Sequence, residues 1–121
     1  MHAAARLFLG EEACIGLSTH ELEQLRRSLA LPVDYIAAGP VFPTSTKQNP
    51  DPVVGLELLR QARPLTQKPL VAIGGITVEN APAVLRAGAD AVAVIRDLLT
   101  ASSIEARARE FLKALRNRPL V

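Results

Sequence analysis

The 121 residues are enough for one small domain with its own core, and 49% apolar residues with only 3% aromatics predict an aliphatic core. Few aromatic rings argue against base-stacking nucleic-acid modules, and a single cysteine, Cys14, excludes an internal disulfide and a multi-cysteine zinc site. The formal charge is only +2, and no apolar run approaches the length of a membrane span. We therefore expect a cytoplasmic protein that binds neither nucleic acid nor membrane.

Helix-like and strand-like patterns alternate along the chain. A short helix over residues 3–9 ends at Gly10, and apolar runs at 13–17, 33–38, 69–74 and 91–95 predict four buried strands. Helical spacing follows each strand, and S-x-x-E sequences at Ser18 and Ser102 predict capping boxes at two helix starts. The order βαβαβαβα predicts a parallel sheet with right-handed crossovers.

The two halves of this pattern repeat one plan of strand, glycine, threonine, helix and aspartate. Repeated βαβ quarters are typical of a (β/α) barrel, and four units make half of one. The two edges of such a sheet would be apolar and unpaired, which favours a homo-oligomer or a complementing amino-terminal half. The corresponding residues are Gly16 and Gly74, Thr19 and Thr77, and Asp34 and Asp90.

Residues 39–50, G-P-V-F-P-T-S-T-K-Q-N-P, form a loop after the second predicted strand. Its prolines and glycine exclude a helix, and its hydroxyls and lysine suit an anion. A polar surface loop of the same composition is the alternative. Gly74-Gly75 and Ile95-Arg96 follow the next two strands, so all three segments share the carboxyl-terminal edge where (β/α) folds bind ligands. For Gly75 the alternative is a tight turn alone.

The runs D-Y-I-A-A-G-P-V-F-P-T-S-T-K, V-A-I-G-G-I-T-V-E-N and A-G-A-D-A-V-A-V-I, with I-G-L-S-T-H upstream, resemble the thiamine phosphate synthase and thiazole tautomerase superfamily. The resemblance covers residues from about 5 to 115 and implies a TIM-type (β/α)8 barrel. It implies that residues 1–121 form a single domain, a parallel (β/α)4 half-barrel preceded by a short helical remnant and equivalent to the carboxyl-terminal half. The implied reaction joins hydroxymethylpyrimidine diphosphate to thiazole phosphate and releases diphosphate, with Mg²⁺ as cofactor.

The resemblance also implies roles for individual residues toward small phosphorylated substrates. Lys47 and Ser18 would face the diphosphate, although Ser18 could equally serve as a helix cap. His20 is a candidate acid or base, because a tautomerase-type relative uses a histidine there. The residues expected to hold the thiazole phosphate are Thr44, Ser45, Thr46, Gly75, Ile95 and Arg96.

Two features depart from the family pattern. The magnesium aspartates, the pyrimidine-side asparagine and a Q-x-R-x-K strand belong to the first half of the barrel and have no counterpart here. Arg96 stands where the family usually has serine. Three functions therefore stay open: a synthase completed by another chain, a tautomerase-like or regulatory relative, and an inactive half-barrel that keeps a phosphate pocket. The T-S-T-K loop favours the synthase.

Four other residues carry structural expectations. Asp34 and Asp90 precede strands and are expected to form turns, and Asn80 is expected to be structural. Cys14 is expected to be a small core residue.

Overall fold

Four short parallel strands lie side by side in chain order in a computed structural model that describes residues 2–43 and 55–116. Gly16 pairs with Tyr35 at the start of the first two strands, and the same parallel pairing continues across the sheet. The prediction of an all-parallel sheet is confirmed. The strands are β1 (Gly16–Thr19), β2 (Tyr35–Ala38), β3 (Leu70–Ala72) and β4 (Ala91–Val92).

Helices connect the strands. A 3-10 turn over Arg63–Leu65 follows the third helix, and the first helix ends where Gly10 donates its N–H to the Arg6 carbonyl at 2.9 Å. Among the described helices, none is long and apolar enough to cross a membrane. The helices are α1 (His2–Leu9), α2 (Leu22–Ser28), α3 (Gly55–Ala62), α4 (Ala81–Arg86), α5 (Arg96–Leu99) and α6 (Ile104–Arg116).

The core lies between one face of the sheet and the helices. Because side chains alternate along a strand, one set faces the helices and the other faces away. Ile36, Leu70 and Ala72 of the first set are fully buried among aliphatic helix residues. On the other face, Ser18 and Ala91 are exposed. The core is therefore aliphatic, as the composition predicts, and lies mainly on the helix-facing side of the sheet.

An arginine and an aspartate hold the amino-terminal ends of β1 and β2. Arg6 donates to the Ala13 carbonyl at 2.7 Å and the Pro32 carbonyl at 3.0 Å, and it pairs with Asp34 at 2.9 Å. Asp34 also accepts the Ile15 N–H at 2.7 Å. One ion pair therefore ties α1 to the starts of both strands. These contacts lower the pKa of the Asp34 carboxyl, first through the Ile15 N–H and then through Arg6.

The same arrangement recurs at the amino-terminal ends of β3 and β4. Arg63 donates to the Thr66 carbonyl at 2.7 Å and pairs with Asp90 at 2.7 Å. Asp90 accepts the Leu70 N–H at 2.9 Å. The predicted correspondence of Asp34 with Asp90 is confirmed, and each residue does more than form a turn, since it joins two strands to the preceding helix.

The other two correspondences in the predicted repeat are wrong. Gly16 begins β1 beneath the ring of Tyr35, whereas Gly74 follows the end of β3. Thr19 is a buried strand residue whose hydroxyl donates to the Ala37 carbonyl at 3.0 Å, whereas Thr77 lies in a turn. A shared order of residue types therefore does not place these pairs at equivalent points.

Both predicted capping boxes need correction. Ser18 lies within β1, and α2 begins at Leu22. Gln24, in the first turn of α2, accepts the His20 N–H at 2.7 Å. At α6 the cap is Ser103, whose hydroxyl accepts the Ala106 N–H at 3.2 Å, one residue beyond the predicted position. Cys14 is exposed, so the prediction of a core residue is wrong as well.

Candidate functional site

The segments that follow β1 and β2 are joined directly at the carboxyl-terminal edge of the sheet. Gly39 donates its N–H to the Thr19 carbonyl at 3.1 Å, and His20 Nδ1 lies 2.8 Å from the Gly39 carbonyl oxygen. A carbonyl only accepts, so Nδ1 carries the hydrogen in this contact. His20 thus holds Gly39, the first residue after β2 and the start of the segment predicted to be a loop.

The segment after β2 is joined in turn to the segment after β3. Val41 donates to the Ile73 carbonyl at 2.9 Å, and Phe42 donates to the Gly74 carbonyl at 3.1 Å. A Cβ at Gly39 would overlap the Ile73 carbonyl oxygen. The backbones run this close because position 39 has no side chain, a requirement that the loop's composition alone did not reveal.

Gly75 makes the tightest approach at this edge. Its φ of +67° lies in the left-handed region, and a Cβ there would come within 2.5 Å of the Pro43 carbonyl oxygen and 2.8 Å of the Phe42 Cβ. The tight-turn interpretation of Gly75 is therefore supported by the geometry of the protein alone. Pro43 directly precedes Thr44 in the sequence, so the chain passes from this contact into the T-S-T-K sequence.

Asn80 holds the turn after β3 from within. Its Oδ1 accepts the Thr77 N–H at 2.8 Å, and its Nδ2 donates to the Gly75 carbonyl at 3.0 Å. The Thr77 hydroxyl accepts the Asn80 N–H at 3.2 Å in return. The structural role predicted for Asn80 is confirmed, and the turn from Gly75 to Asn80 behaves as one unit.

The segment after β4 carries two of the predicted phosphate-binding residues. Ile95 is 61% exposed and directly precedes α5, where Arg96 is the first residue and is exposed. Asp97 reaches back from α5 and accepts the Val78 N–H at 2.9 Å. Sequence analysis missed Asp97, whose only signal was an acidic residue in the first turn of the short helix after the fourth strand.

The predicted site residues fall into two groups. Ser18 lies exposed on the uncovered face of β1, and His20 is half-buried beside the loop start. His20 and the segments carrying Gly75 and Ile95-Arg96 follow the carboxyl ends of β1, β3 and β4, whereas Ser18 lies within β1. Thr44, Ser45, Thr46 and Lys47 lie outside the described residues.

A groove of about 520 Å³ runs along α2 and is lined by Leu17, His20, Gln24 and Arg27 among others. Leu17 belongs to the helix-facing side of β1, because it pairs with the buried Ile36. This groove therefore lies on the helix side of the sheet at its β1 edge, and Gly75, Ile95 and Arg96 do not line it.

The described part of the chain does not fit a magnesium ion. Within residues 2–43 and 55–116, no group of three or more histidine, cysteine, aspartate or glutamate residues is arranged to hold a metal. Asp97, the carboxylate built into the candidate site, is engaged by the Val78 N–H and by Arg107. Octahedral magnesium sites need carboxylate oxygens that are available to the metal.

The parallel sheet with its linked strand-end loops defines a protein of the (β/α)-barrel class. The family model described as thiamine monophosphate synthase matches residues 1–98. The chain belongs to this family, which confirms the resemblance found in the motifs.

Individual relatives agree with this assignment. The chain is 58% identical over 111 residues to thiamine-phosphate synthase of Koribacter versatilis, covering 92% of this chain and 52% of that protein. It is 51% identical to the synthase of Methylobacillus flagellatus, covering 90% of this chain and 52% of the relative. Thiamine phosphate pyrophosphorylase from Pyrococcus furiosus superposes with a TM-score of 0.84 at 34% identity, over 96% of this chain and 55% of that one.

The chain thus spans about half the length of the relatives it matches. The predicted fold is confirmed: a parallel (β/α)4 half of a TIM-type barrel, with α1 as the short helix that precedes it.

Proposed function

We propose that this chain supplies the thiazole-phosphate half of a thiamine phosphate synthase. In this proposal Thr44, Ser45 and Thr46 donate hydroxyl hydrogen bonds to the phosphate of the thiazole substrate. Backbone groups of Gly75 and the Ile95-Arg96 pair contact the same phosphate, and the Arg96 guanidinium adds positive charge. The similarity to synthases over nearly the whole chain supports this assignment.

One contact carries the proposal. Pro43 packs against Gly75 so closely that any side chain at position 75 would collide with its carbonyl oxygen. Pro43, the residue before the hydroxyl-rich sequence, therefore lies beside the turn that the proposal assigns to the same phosphate. This contact supports assigning two independent sequence signals, the T-S-T-K run and the paired glycines, to one phosphate.

Lys47 and Ser18 complete the proposal on the diphosphate side. Departure of diphosphate leaves a cationic pyrimidine methylene, so the site must stabilise the leaving anion without offering a strong competing nucleophile. An ammonium group and a hydroxyl meet both requirements. His20 is a weaker candidate for acid–base chemistry, because its Nδ1 is engaged by the Gly39 carbonyl.

The complete reaction needs more than the residues described. Because the chain spans about half of its relatives, we propose that the pyrimidine side comes from an amino-terminal half of the barrel, present as another segment or chain. Association with that half, or with a second copy, would also cover the edge strands β1 and β4. No catalytic step is assigned to magnesium here, since the described residues do not fit it. A cytoplasmic location stays a prediction.

Binding of thiazole phosphate, measured by calorimetry, tests the phosphate site. We expect the double variant Thr44→Ala/Thr46→Ala to weaken binding at least about tenfold, because two hydrogen bonds to a charged group are lost. Thr66→Ala is the control, since Thr66 lies before β3 at the opposite edge of the sheet. Unchanged affinity in the double variant would remove the loop from the site.

Turnover tests the reaction itself. The chain is mixed with the amino-terminal half of the Koribacter versatilis relative, both substrates and magnesium, and released diphosphate is measured. We expect release only in the mixture, and a large loss in Lys47→Ala. Phosphate binding without turnover in a mixture that light scattering shows to be assembled would instead favour the tautomerase-like or regulatory alternative.

A further inference from the structure

Asp97 connects two segments that otherwise belong to different (β/α) units. Its Oδ2 accepts the Val78 N–H at 2.9 Å, across 19 residues of sequence. Val78 lies in the turn after β3, and Asp97 lies in α5 after β4. The Asp97 side chain is only 18% exposed, so the bond is largely shielded from water.

Arg107 fixes Asp97 from the other side. Its Nη1 donates to Asp97 Oδ1 at 2.5 Å and to the Asp97 backbone carbonyl at 3.1 Å. Arg107 lies in α6, the longest described helix, whose start is capped by Ser103. A carboxylate held at one oxygen by a helix-borne guanidinium has little freedom, so its second oxygen keeps its direction toward Val78.

The constraint that Asp97 places on Val78 extends through the turn to Gly75. Asn80 already binds Thr77 and the Gly75 carbonyl, so fixing Val78 fixes the segment that contains Gly75. On its own side, Asp97 lies two residues after Ile95 and directly after Arg96. One side chain therefore sets the distance between the two backbone segments that would contact the phosphate.

We propose that Asp97 is a positioning residue, which holds the Gly75 turn and the Ile95-Arg96 segment at the spacing that one phosphate group requires. This inference rests on the proposed function, because it assumes that both segments contact the same phosphate. Asp97 touches backbone and Arg107 and does not touch the substrate in this account. Its effect on the reaction is exerted through the amides it holds in place.

Asp90 offers a matched control for a purely structural role. It too accepts a backbone N–H, from Leu70 at 2.9 Å, and an arginine, Arg63 at 2.7 Å. It lies at the amino-terminal edge of the sheet, away from the candidate site. If both aspartates served only stability, Asp97→Ala and Asp90→Ala would affect ligand binding equally.

The test measures thiazole phosphate affinity by calorimetry in wild type, Asp97→Ala, Asp97→Asn and Asp90→Ala, at a temperature where thermal melts show each to be folded. We expect Asp97→Ala to weaken binding about tenfold or more, and Asp90→Ala to stay within about twofold of wild type. Asp97→Asn keeps an acceptor for the Val78 N–H and should recover part of the affinity.

Amide hydrogen exchange provides a readout that does not depend on any ligand. In Asp97→Ala, the Thr77 and Val78 amides, which donate to Asn80 and Asp97, should exchange faster than in wild type, while the Leu70 amide should not. Unchanged exchange at Thr77 and Val78 would overturn the positioning role, whatever the protein binds. So would equal affinity losses in Asp97→Ala and Asp90→Ala.

The two proposals fail differently. A wild-type chain that binds neither thiazole phosphate nor inorganic phosphate would contradict the proposed function, and with it the purpose assigned to Asp97. Wild-type binding with no loss in Asp97→Ala would contradict the positioning role alone. Where Asp97→Ala does not fold, Asp97→Asn and Arg107→Met replace it, and an affinity within twofold of wild type in both would overturn the proposal.

Discussion

At the amino-terminal ends of the strands, arginine–aspartate pairs hold the connections, whereas at the carboxyl-terminal ends the loops after β2 and β3 meet through backbone groups and glycines. Arg6 with Asp34 and Arg63 with Asp90 form the same arrangement twice. At the opposite edge, the loop after β2 lies against Ile73 and Gly74 through main-chain hydrogen bonds.

The difference follows from what each edge has to do. The two arginine–aspartate pairs form hydrogen bonds with backbone groups at the strand ends. They leave the sequence of the connecting segments free to vary. Where loops meet by backbone contact, amides and small side chains stay available to face a ligand. The glycines at the contact cannot then be replaced by larger residues. In (β/α) folds the amino-terminal face serves stability and the carboxyl-terminal face serves function.

The largest effect that this comparison predicts is at Gly75. Gly75→Ala places a Cβ within 2.5 Å of the Pro43 carbonyl oxygen at a φ of +67°. We expect the free energy of unfolding to fall by about 3 kcal/mol, through left-handed strain and displacement of the loop. Thiazole phosphate binding should be lost as well. Chemical denaturation and calorimetry measure the two effects.

Gly10→Ala is the control for that substitution. Gly10 has a φ of +91°, and among the described residues nothing lies within 4 Å of the position its Cβ would take. It should therefore lose only about 1 kcal/mol, from backbone strain alone. Equal losses at the two glycines would mean that the close approach of Pro43 to Gly75 is wrong.

The fold could be predicted from the sequence because aliphatic runs and helical spacing are local and repeated. The predicted strand bounds differ from the observed ones by up to three residues. For example, β1 begins at Gly16 and not at residue 13. The reason is that an apolar run extends beyond the residues whose backbone pairs with a neighbouring strand. The Asp34 and Asp90 correspondence was visible as a repeat, but their arginine partners lie about 28 residues away and carried no pattern of their own.

The candidate site was predictable only to the level of segments. Gly75 and Ile95-Arg96 were identified because they directly follow strands, and parallel strands bring their ends together. Asp97 and Gly39 were missed because their roles depend on contacts with other (β/α) units. Ser18 was interpreted as a possible cap because the S-x-x-E spacing occurs by chance across the end of β1.

An intermediate effect on the free energy of unfolding is expected in acid, at the Arg6–Asp34 pair. The folded-state pKa of Asp34 is lowered by the Ile15 N–H and by Arg6, so its ionised form adds stability above the ordinary aspartate pKa, about 4. That contribution should disappear as pH falls through the lowered value. Wild type should therefore lose stability more steeply than Asp34→Asn below about pH 5.

Denaturation curves between neutral and acid pH check this prediction. Glu105→Gln is the control, because Glu105 pairs with Arg109 at the surface, where both side chains are 76% exposed. The two curves of wild type and Asp34→Asn should converge in acid. Parallel curves over the whole range would show that Asp34 does not stabilise the fold through its charge.

The smallest effect, on diphosphate release, is expected at His20, which combines a side-chain contact with a backbone contact. His20 is a side chain at the carboxyl-terminal edge, yet its Nδ1 donates to a backbone carbonyl, that of Gly39, at 2.8 Å. Asn Nδ2 can make a similar bond, so His20→Asn should keep diphosphate release in the completed enzyme within about threefold of wild type. A fall of about a hundredfold with thiazole phosphate affinity intact would instead identify His20 as an acid or base, because a positioned amide replaces the hydrogen bond but cannot transfer the proton.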